Sequence, residues 1–189
     1  MTQPPQDAEL IERIINGDKQ LFAVLVDRYK NKIYGIFYGM GASHQDAQDL
    51  AQETFIRIYR NLPSHRQGSS FFSWMYTIAV NLMRDHQRKK KSVLTSDTPE
   101  AVSPDEKTPE QQLLHQEMKR EIHQQLDELP EQYRLVLLLK YTNELSYEEI
   151  ADIANMSTSQ VKNALYRGKK MLKARIERKG GILLEAKIK

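Results

Sequence analysis

Residues 145–172 read LSYEEIADIANMSTSQVKNALYRGKKML, and this stretch predicts two helices joined by a tight turn. Ser146 stands three residues before Glu149, and Ser157 stands three residues before Gln160. Each pair has the spacing of a capping box, in which the serine oxygen accepts an N–H of the first turn and the Glu or Gln side chain bonds back to the serine N–H. The stretch therefore contains two defined helix beginnings.

Apolar residues recur along both helices at the spacing of one helical face. The first face is formed by Ile150, Ile153 and Ala154, and the second by Val161, Leu165, Gly168 and Leu172. Between the helices, Asn155 tolerates the left-handed conformation that ends a helix, and Met156 can fill the corner. The pattern predicts a helix-turn-helix, whose second helix enters a DNA major groove.

The outward side of the second helix is polar and basic. Its predicted DNA contacts, which combine base readers with phosphate-binding charge, are Lys162, Asn163, Tyr166, Arg167, Lys169 and Lys170. The alternative is a solvated helical hairpin with a basic tail. Two capping boxes, a corner residue and basic residues on one side favour DNA binding over that alternative.

The composition limits what the rest of the chain can be. The 189 residues, 40% of them hydrophobic, allow one ordinary domain or two small ones, and the formal net charge is +3. The absence of cysteine excludes disulfides and thiolate zinc sites, and the five scattered histidines have no metal-ligand spacing. We expect no cofactor. The polar N-terminus does not resemble a signal peptide, and no apolar run approaches a membrane span of about 18 residues. These features predict a cytoplasmic protein without membrane insertion.

Four helices are predicted in the first half of the chain, beginning near residues 7, 19, 44 and 71. The third carries an acidic stripe in which Asp46, Asp49 and Glu53 follow one another at i, i+3 and i+7, with Gln52 beside them. From these residues alone, a solvated face is the first interpretation and a protein-docking surface the alternative. A pair of such carboxylates could suggest a metal site or an acid–base pair, but no histidine or glycine loop joins them, so we expect no catalysis.

The fourth predicted helix is aromatic at its start and basic at its end. Phe71 and Trp74 lie in its first turns, and Arg84 and Arg88 lie further along. Aromatic rings beside a basic track are typical of single-stranded DNA binding, because bases stack and phosphates pair with cations. The alternative, favoured for Trp74, is that the rings are core residues.

Residues 92–112 are rich in Pro, Ser, Thr and acids and cannot bury enough apolar surface to order themselves. They predict a flexible acidic linker between two domains, residues 1–91 and 113–176, with a C-terminal tail at 177–189. After the linker, helix resumes, breaks at Pro130 and begins again at Glu131. The predicted fold class is all-α, with two small helical domains.

The order of these parts resembles the extracytoplasmic-function (group 4) sigma factors of bacterial RNA polymerase, in the sigma-70 family. The segments that carry the resemblance are residues 27–40 (DRYKNKIYGIFYGM, region 2.1), 46–62 (DAQDLAQETFIRIYRNL, region 2.2), 71–89 (FFSWMYTIAVNLMRDHQRK, regions 2.3 and 2.4) and 129–172 (region 4). Within the third segment, the W-x-x-x-I-A-x-N-x-x-x-D-x-x-R frame is formed by Trp74, Ile78, Ala79, Asn81, Asp85 and Arg88.

The resemblance implies a promoter-specificity factor without catalytic residues. It implies that the clamp helices and flap of core RNA polymerase are partners, and that Asp46, Asp49, Gln52 and Glu53 form the docking site for polymerase. Region 4 would read the minus-35 element through the six outward residues of the recognition helix. Region 2 would recognise and melt the minus-ten element, flipping a base out of the stack. The residues implied there are Ser64, His65, Arg66, Phe71, Asn81, Arg84 and Arg88. Restraint would come from a separate anti-sigma protein.

Two other interpretations account for less of the chain. An autonomous helix-turn-helix regulator that binds an operator as a dimer would explain residues 110–175, but it gives no role to the motifs of the first half. An enzyme or ligand-sensing domain at the N-terminus would require a nucleophile–base pair, metal-ligand spacing or a phosphate loop, and none is found.

Overall fold

The computed structural model describes residues 7–65, 70–93 and 123–178, and every regular element within these ranges is helical. The N-terminal half contains α1 (Asp7–Ile15), α2 (Phe22–Gly39), α3 (His44–Asn61) and α4 (Phe71–Val93). The C-terminal half contains a helical segment at residues 123–127, then α5 (Glu131–Leu137), α6 (Tyr147–Ala154) and α7 (Thr158–Arg178). The all-α prediction is confirmed. Most of the predicted linker and most of the tail lie outside the described residues.

The N-terminal half begins its helices where local chemistry favours them. Ser43 is extended, and its Oγ accepts a hydrogen bond of 3.1 Å from the backbone N–H of Asp46, which starts α3 as predicted. Asp7, at the start of α1, accepts hydrogen bonds from Arg28 and Tyr29 of α2. This bonding fixes α1 against α2, while α2, α3 and α4 pack around one another.

The helix-turn-helix is formed as the sequence predicted. Both capping boxes are present, and the backbone N–H of Gln160 bonds to Ser157 Oγ at 3.2 Å. Asn155 has φ +56°, in the left-handed region. The backbone N–H of Met156 reaches back to the carbonyl of Ala151 at 2.9 Å, which completes a Schellman-type helix end.

The helix predicted over residues 131–141 changes its geometry part of the way along. After α5 the backbone forms a π-helix over Leu138–Thr142, closed by a 3.2 Å hydrogen bond from the N–H of Asn143 to the carbonyl of Leu138. A π-helical turn carries an extra residue relative to an α-helical one, and such turns are common at functional sites. Here the turn ends on Asn143, whose side chain points into the contact between the two halves.

The two halves pack against each other, with α6 lying on α4 and the π-helix lying on α2. The Tyr76 hydroxyl donates a 2.7 Å hydrogen bond to Asn143 Oδ1, and both residues are buried. Burial, together with the nearby Glu149 carboxylate, raises the pKa of Tyr76, so its hydroxyl remains a donor. Among the described residues, the buried apolar side chains other than Ile176 form one continuous cluster across both halves.

Candidate nucleic-acid and polymerase interfaces

The outer face of α7 presents five of the six predicted recognition residues together, and the sixth, Lys169, is half-buried at its edge. Lys162, Asn163, Arg167 and Lys170 are exposed, and Tyr166 is 69% exposed. On the opposite side of the helix, Val161 and Leu165 are buried against the rest of the C-terminal half. Periodicity alone therefore separates a buried apolar face from an outward basic one, as the sequence predicted.

The basic surface extends beyond the recognition helix through three tyrosine–lysine contacts. Lys169 Nζ lies 4.7 Å from the centroid of the Tyr141 ring, while the ammonium groups of Lys140 and Lys162 lie 4.8 and 5.6 Å from that of Tyr147. Sequence reasoning missed Lys140, Tyr141 and Tyr147. The position of Tyr147 in the sequence could have identified it as a surface residue, because it directly follows the cap Ser146 and starts α6 outside its apolar face.

The charge on α7 is distributed unevenly along the helix. Near its C-terminal end, Lys173 lies 3.7 Å from Glu177, and Arg175 pairs with Glu128. Across the part of the chain that the structure describes, no ion pair involves Lys162, Arg167 or Lys170. These cations are available to phosphate groups, whose neutralisation dominates affinity for DNA.

The residues predicted to contact the minus-ten element fall into two groups along α4. The first lies at the start of the helix, where the His65 ring is 4.9 Å from that of Trp74 and 5.9 Å from that of Phe71. Burial lowers the pKa of His65, which favours the neutral imidazole. Ser64 is exposed and donates a 2.7 Å hydrogen bond to the carbonyl of Asn61.

Phe71 requires a correction. Its ring is only 7% exposed and packs against Tyr29 and Trp74, because it lies on the core side of the first turn of α4. Phe71 therefore supports His65 and Trp74 from beneath and offers no open face to a base. Arg66 lies outside the described residues.

The second group is a stripe further along α4, about 15 Å from Phe71 at the helical rise per residue. Asn81 and Arg88 are exposed and Arg84 is half-buried, at i, i+3 and i+7. Arg88 pairs with Asp85. An open groove of about 690 Å³ runs along this stripe, lined by Asn81, Arg84, Asp85, Gln87, Arg88 and Glu131. Glu131 belongs to α5, so both halves of the protein contribute to the groove.

The acidic stripe on α3 is divided by the fold. Asp49 and Gln52 are exposed, and Glu53 accepts a 2.7 Å hydrogen bond from Arg57 one turn later. Asp46 is half-buried, with its carboxylate 3.5 Å from Nε2 of His86 on α4. The outward part of the stripe therefore consists of Asp49, Gln52 and Glu53.

The described ranges contain neither a metal-binding cluster nor a membrane-spanning helix. Between residues 7 and 178, leaving aside the two gaps, no group of three His, Cys, Asp or Glu side chains is arranged to hold a metal ion. In the same ranges, no helix has both the length and the apolar character needed to cross a membrane.

The fold and the outward basic helix define a helical DNA-binding protein of two parts. Family models for sigma-70 region 2 and sigma-70 region 4 match residues 25–93 and 119–172. The RNA polymerase sigma-H factor of Pseudomonas aeruginosa is 34% identical over 182 residues, covering 91% of this chain and 94% of that protein. The ECF RNA polymerase sigma factor SigW of Bacillus subtilis is 37% identical over 176 residues, covering 88% and 94%. The chain belongs to the ECF sigma factors, the promoter-specificity factors of RNA polymerase.

Solved structures share the fold. CnrH, in its complex with the cytosolic domain of CnrY, superposes with a TM-score of 0.73 at 22% identity, covering 91% of this chain and 97% of that one. The sigma factor RpoE of Bartonella quintana, in complex with the anti-sigma factor NepR, gives a TM-score of 0.64 at 20% identity, with 82% and 96% covered. The predicted family is confirmed, and the operator-binding regulator is not favoured.

Proposed function

We propose that this sigma factor divides promoter recognition between two faces, with α7 contacting the minus-35 element and α4 the minus-ten element. The observation that carries the proposal is the segregation of α7. Five of the six residues predicted to bind DNA are exposed on the side away from the buried Val161 and Leu165, and Lys169 is half-buried beside them. The cations at the centre of that face have no acidic partner among the described residues. Such a face is suited to a major groove, where Arg reads guanine and Lys holds phosphate.

On region 2, the melted strand follows α4 from its aromatic start to its polar stripe. A flipped base requires stacking and hydrogen bonds to recover an unpairing free energy of a few kcal/mol. The neutral His65 beside Trp74 supports the stacking role, and Asn81 supplies both a donor and an acceptor in the groove. Arg84 and Arg88 pair with the backbone of the same strand.

Two protein partners complete the proposal. The outward carboxylates Asp49 and Glu53, with Gln52, dock on core polymerase, since exposed charge of one sign suits a complementary basic surface. An anti-sigma protein restrains the factor. This part rests on the relatives, because CnrH is paired with CnrY and RpoE with NepR in the structures to which this chain is similar.

The two DNA faces are tested by variants that should fail differently in transcription with core polymerase. Arg167→Ala removes a guanidinium from the upstream face. If Arg167 reads a base edge, the variant should bind the minus-35 element about 1–3 kcal/mol more weakly, as measured by footprinting. Asn81→Ala should leave that footprint in place but reduce the permanganate reactivity of unpaired thymines at the minus-ten element. Lys173→Ala, an exposed cation on the same helix whose partner is Glu177, is the matched control and should change neither signal.

The proposal would be overturned if Asn81→Ala abolished upstream protection, or if it left strand opening and promoter choice unchanged. If Arg167→Ala and Lys173→Ala weakened the minus-35 footprint equally, α7 would contribute only nonspecific positive charge to DNA binding.

A further inference from the structure

Methionine supplies all of the side-chain sulfur in this protein. The sequence contains seven methionines and no cysteine. Oxidants therefore meet thioethers only, which they convert to sulfoxides at rates that follow exposure. Met40, Met75 and Met83 are at most 3% exposed and lie in the core. The other two methionines of the described ranges, Met156 and Met171, are half-buried.

Met156 lies at the corner of the helix-turn-helix, on the wall of an open cavity of about 440 Å³. Its apolar neighbours in the lining are Leu135 and Ala154. A small oxidant such as hydrogen peroxide can enter this space, since a water molecule occupies only about 30 Å³ in the liquid. Of the lining residues only Arg84 lies outside region 4, so the access to Met156 does not depend on where region 2 is placed.

A hydrogen-bond donor already touches the sulfur from the cavity side. The side-chain nitrogen of Gln132, an exposed residue that lines the same cavity, donates to Met156 Sδ at 3.8 Å. A thioether is a weak acceptor, whereas oxidation makes the side chain polar. A sulfoxide oxygen would therefore bond to Gln132 at the mouth of the cavity. That bond would draw the Met156 side chain away from Leu135 and Ala154.

The position of Met156 links its side chain to the recognition helix. Met156 directly precedes Ser157, whose Oγ accepts the N–H of Gln160 and begins α7. The Met156 side chain packs against the buried cluster and so fixes the point from which α7 starts. Binding residues must be held within about 0.5 Å of their working geometry. Withdrawal of Met156 would therefore misplace the first turns of α7, which carry Lys162 and Asn163.

We propose that Met156 is an oxidation site through which peroxide-type oxidants reversibly weaken recognition of the minus-35 element. The sulfur lone pair attacks one oxygen of hydrogen peroxide, an S–O bond forms as the O–O bond breaks, and the other oxygen leaves as water. In the reverse step, two thiols of a methionine sulfoxide reductase supply two electrons, become a disulfide and release the oxygen as water. The consequence for DNA rests on the proposed contact of α7 with the minus-35 element.

The oxidation site is measured first on the full chain without DNA. The protein is treated with hydrogen peroxide, the reaction is stopped with catalase, and peptide mass spectrometry follows each methionine. Met156 and Met171 should be oxidised several-fold faster than Met40, Met75 and Met83, because they are the more exposed. Oxidation of Met156 at the rate of the three core methionines would overturn the site.

The effect on DNA binding is measured by combining treated factor with untreated core polymerase and footprinting the minus-35 element. The oxidised parent should bind roughly tenfold more weakly, the order expected for a polar group placed in an apolar setting. Met156→Leu conserves volume without an oxidisable sulfur and should keep its footprint after treatment. Met171→Leu, the matched control, should lose it as the parent does. Met1 and Met118, outside the described residues, are the same in all three proteins.

Two further measurements separate oxidation of Met156 from general damage. Methionine sulfoxide reductases A and B should restore the footprint of the oxidised parent. Untreated Met156→Gln carries an amide at the same place, and it should bind as weakly as the oxidised parent while circular dichroism shows its helices retained. If Met156→Gln loses its helices, the treated Met156→Leu variant decides.

A treated Met156→Leu variant that weakens as much as the parent would overturn the role of Met156. A treated parent that binds the minus-35 element as before would overturn it as well. If Arg167→Ala leaves the minus-35 footprint intact, the proposed contact of α7 fails, while the oxidation of Met156 is still judged by its measured rate.

Discussion

At the scale of single residues, His123 shows how the fold changes the chemistry of a side chain that the sequence left without a role. Its ring lies edge-on to Tyr38 of region 2 at 4.2 Å, and its Nδ1 lies 2.9 Å from Asp127 Oδ2. The hydrogen bond to Asp127 raises the pKa of His123, against the opposing effect of burial. Arg134 also bonds Asp127 at 2.9 Å, so the carboxylate lies between the guanidinium of Arg134 and the ring of His123.

A raised pKa means that the protonated imidazole stabilises the folded protein. That contribution is complete below the ordinary value of about 6.5 and is lost as the pH rises through the raised value. We predict that the free energy of unfolding falls more steeply between about pH 6 and about pH 8 in the parent than in His123→Gln, measured by urea unfolding. His44→Gln is the control, because the partners of His44 are Tyr34 and Gln48 and not a carboxylate. A parent and a His123→Gln variant with the same pH slope would contradict the prediction.

At the scale of secondary-structure elements, α3 carries the predicted polymerase contact on one face. Asp49→Lys reverses a charge on its exposed side, and we expect binding of core polymerase to weaken on the order of tenfold while the helix content is unchanged. Glu12→Lys reverses an exposed charge on α1, outside the stripe, and should bind as the parent does. Fluorescence anisotropy of a labelled factor titrated with core polymerase measures both.

Asp49 is the better probe than its neighbours on α3. Glu53→Lys would also break the bond to Arg57, worth about 0.2–0.5 kcal/mol to the helix, and Asp46 faces His86. If the Asp49→Lys and Glu12→Lys variants bound core polymerase with equal affinity, the acidic stripe on α3 would be a solvated face and not a docking site.

At the scale of the whole molecule, one continuous buried cluster spans both regions. We predict that the parent unfolds in a single urea transition, and that cutting an engineered protease site placed between residues 94 and 122 leaves two fragments that co-elute in size exclusion. The contacts of Tyr76 with Asn143 and of Gly39 with Leu138 should hold the fragments together. Gly39→Gln should let them elute apart, whereas Gly35→Gln should not. Fragments of the parent that separate on cutting would mean that the covalent connection alone keeps the regions together.

The sequence by itself determined the features that depend on interactions between residues close together in the chain. The boundaries of the helix-turn-helix follow from Ser146 and Ser157, whose partners are three residues away, and from Asn155, whose left-handed backbone depends on its own side chain. The outward face of α7 follows in the same way, because the period of a helix separates its apolar residues from its cations without knowledge of the neighbours.

The tertiary structure alone decided the features that depend on residues far apart in the chain. Phe71 and Asp46 lie on helices that were predicted correctly, yet the ring is in the core and the carboxylate turns to His86, because packing of α2, α3 and α4 sets which side of each turn is covered. The contact of region 4 with region 2 depends on Tyr76 meeting Asn143, a pairing of distant residues that no local pattern encodes. Periodicity tells which face of a helix is buried, but only the packed structure tells what buries it.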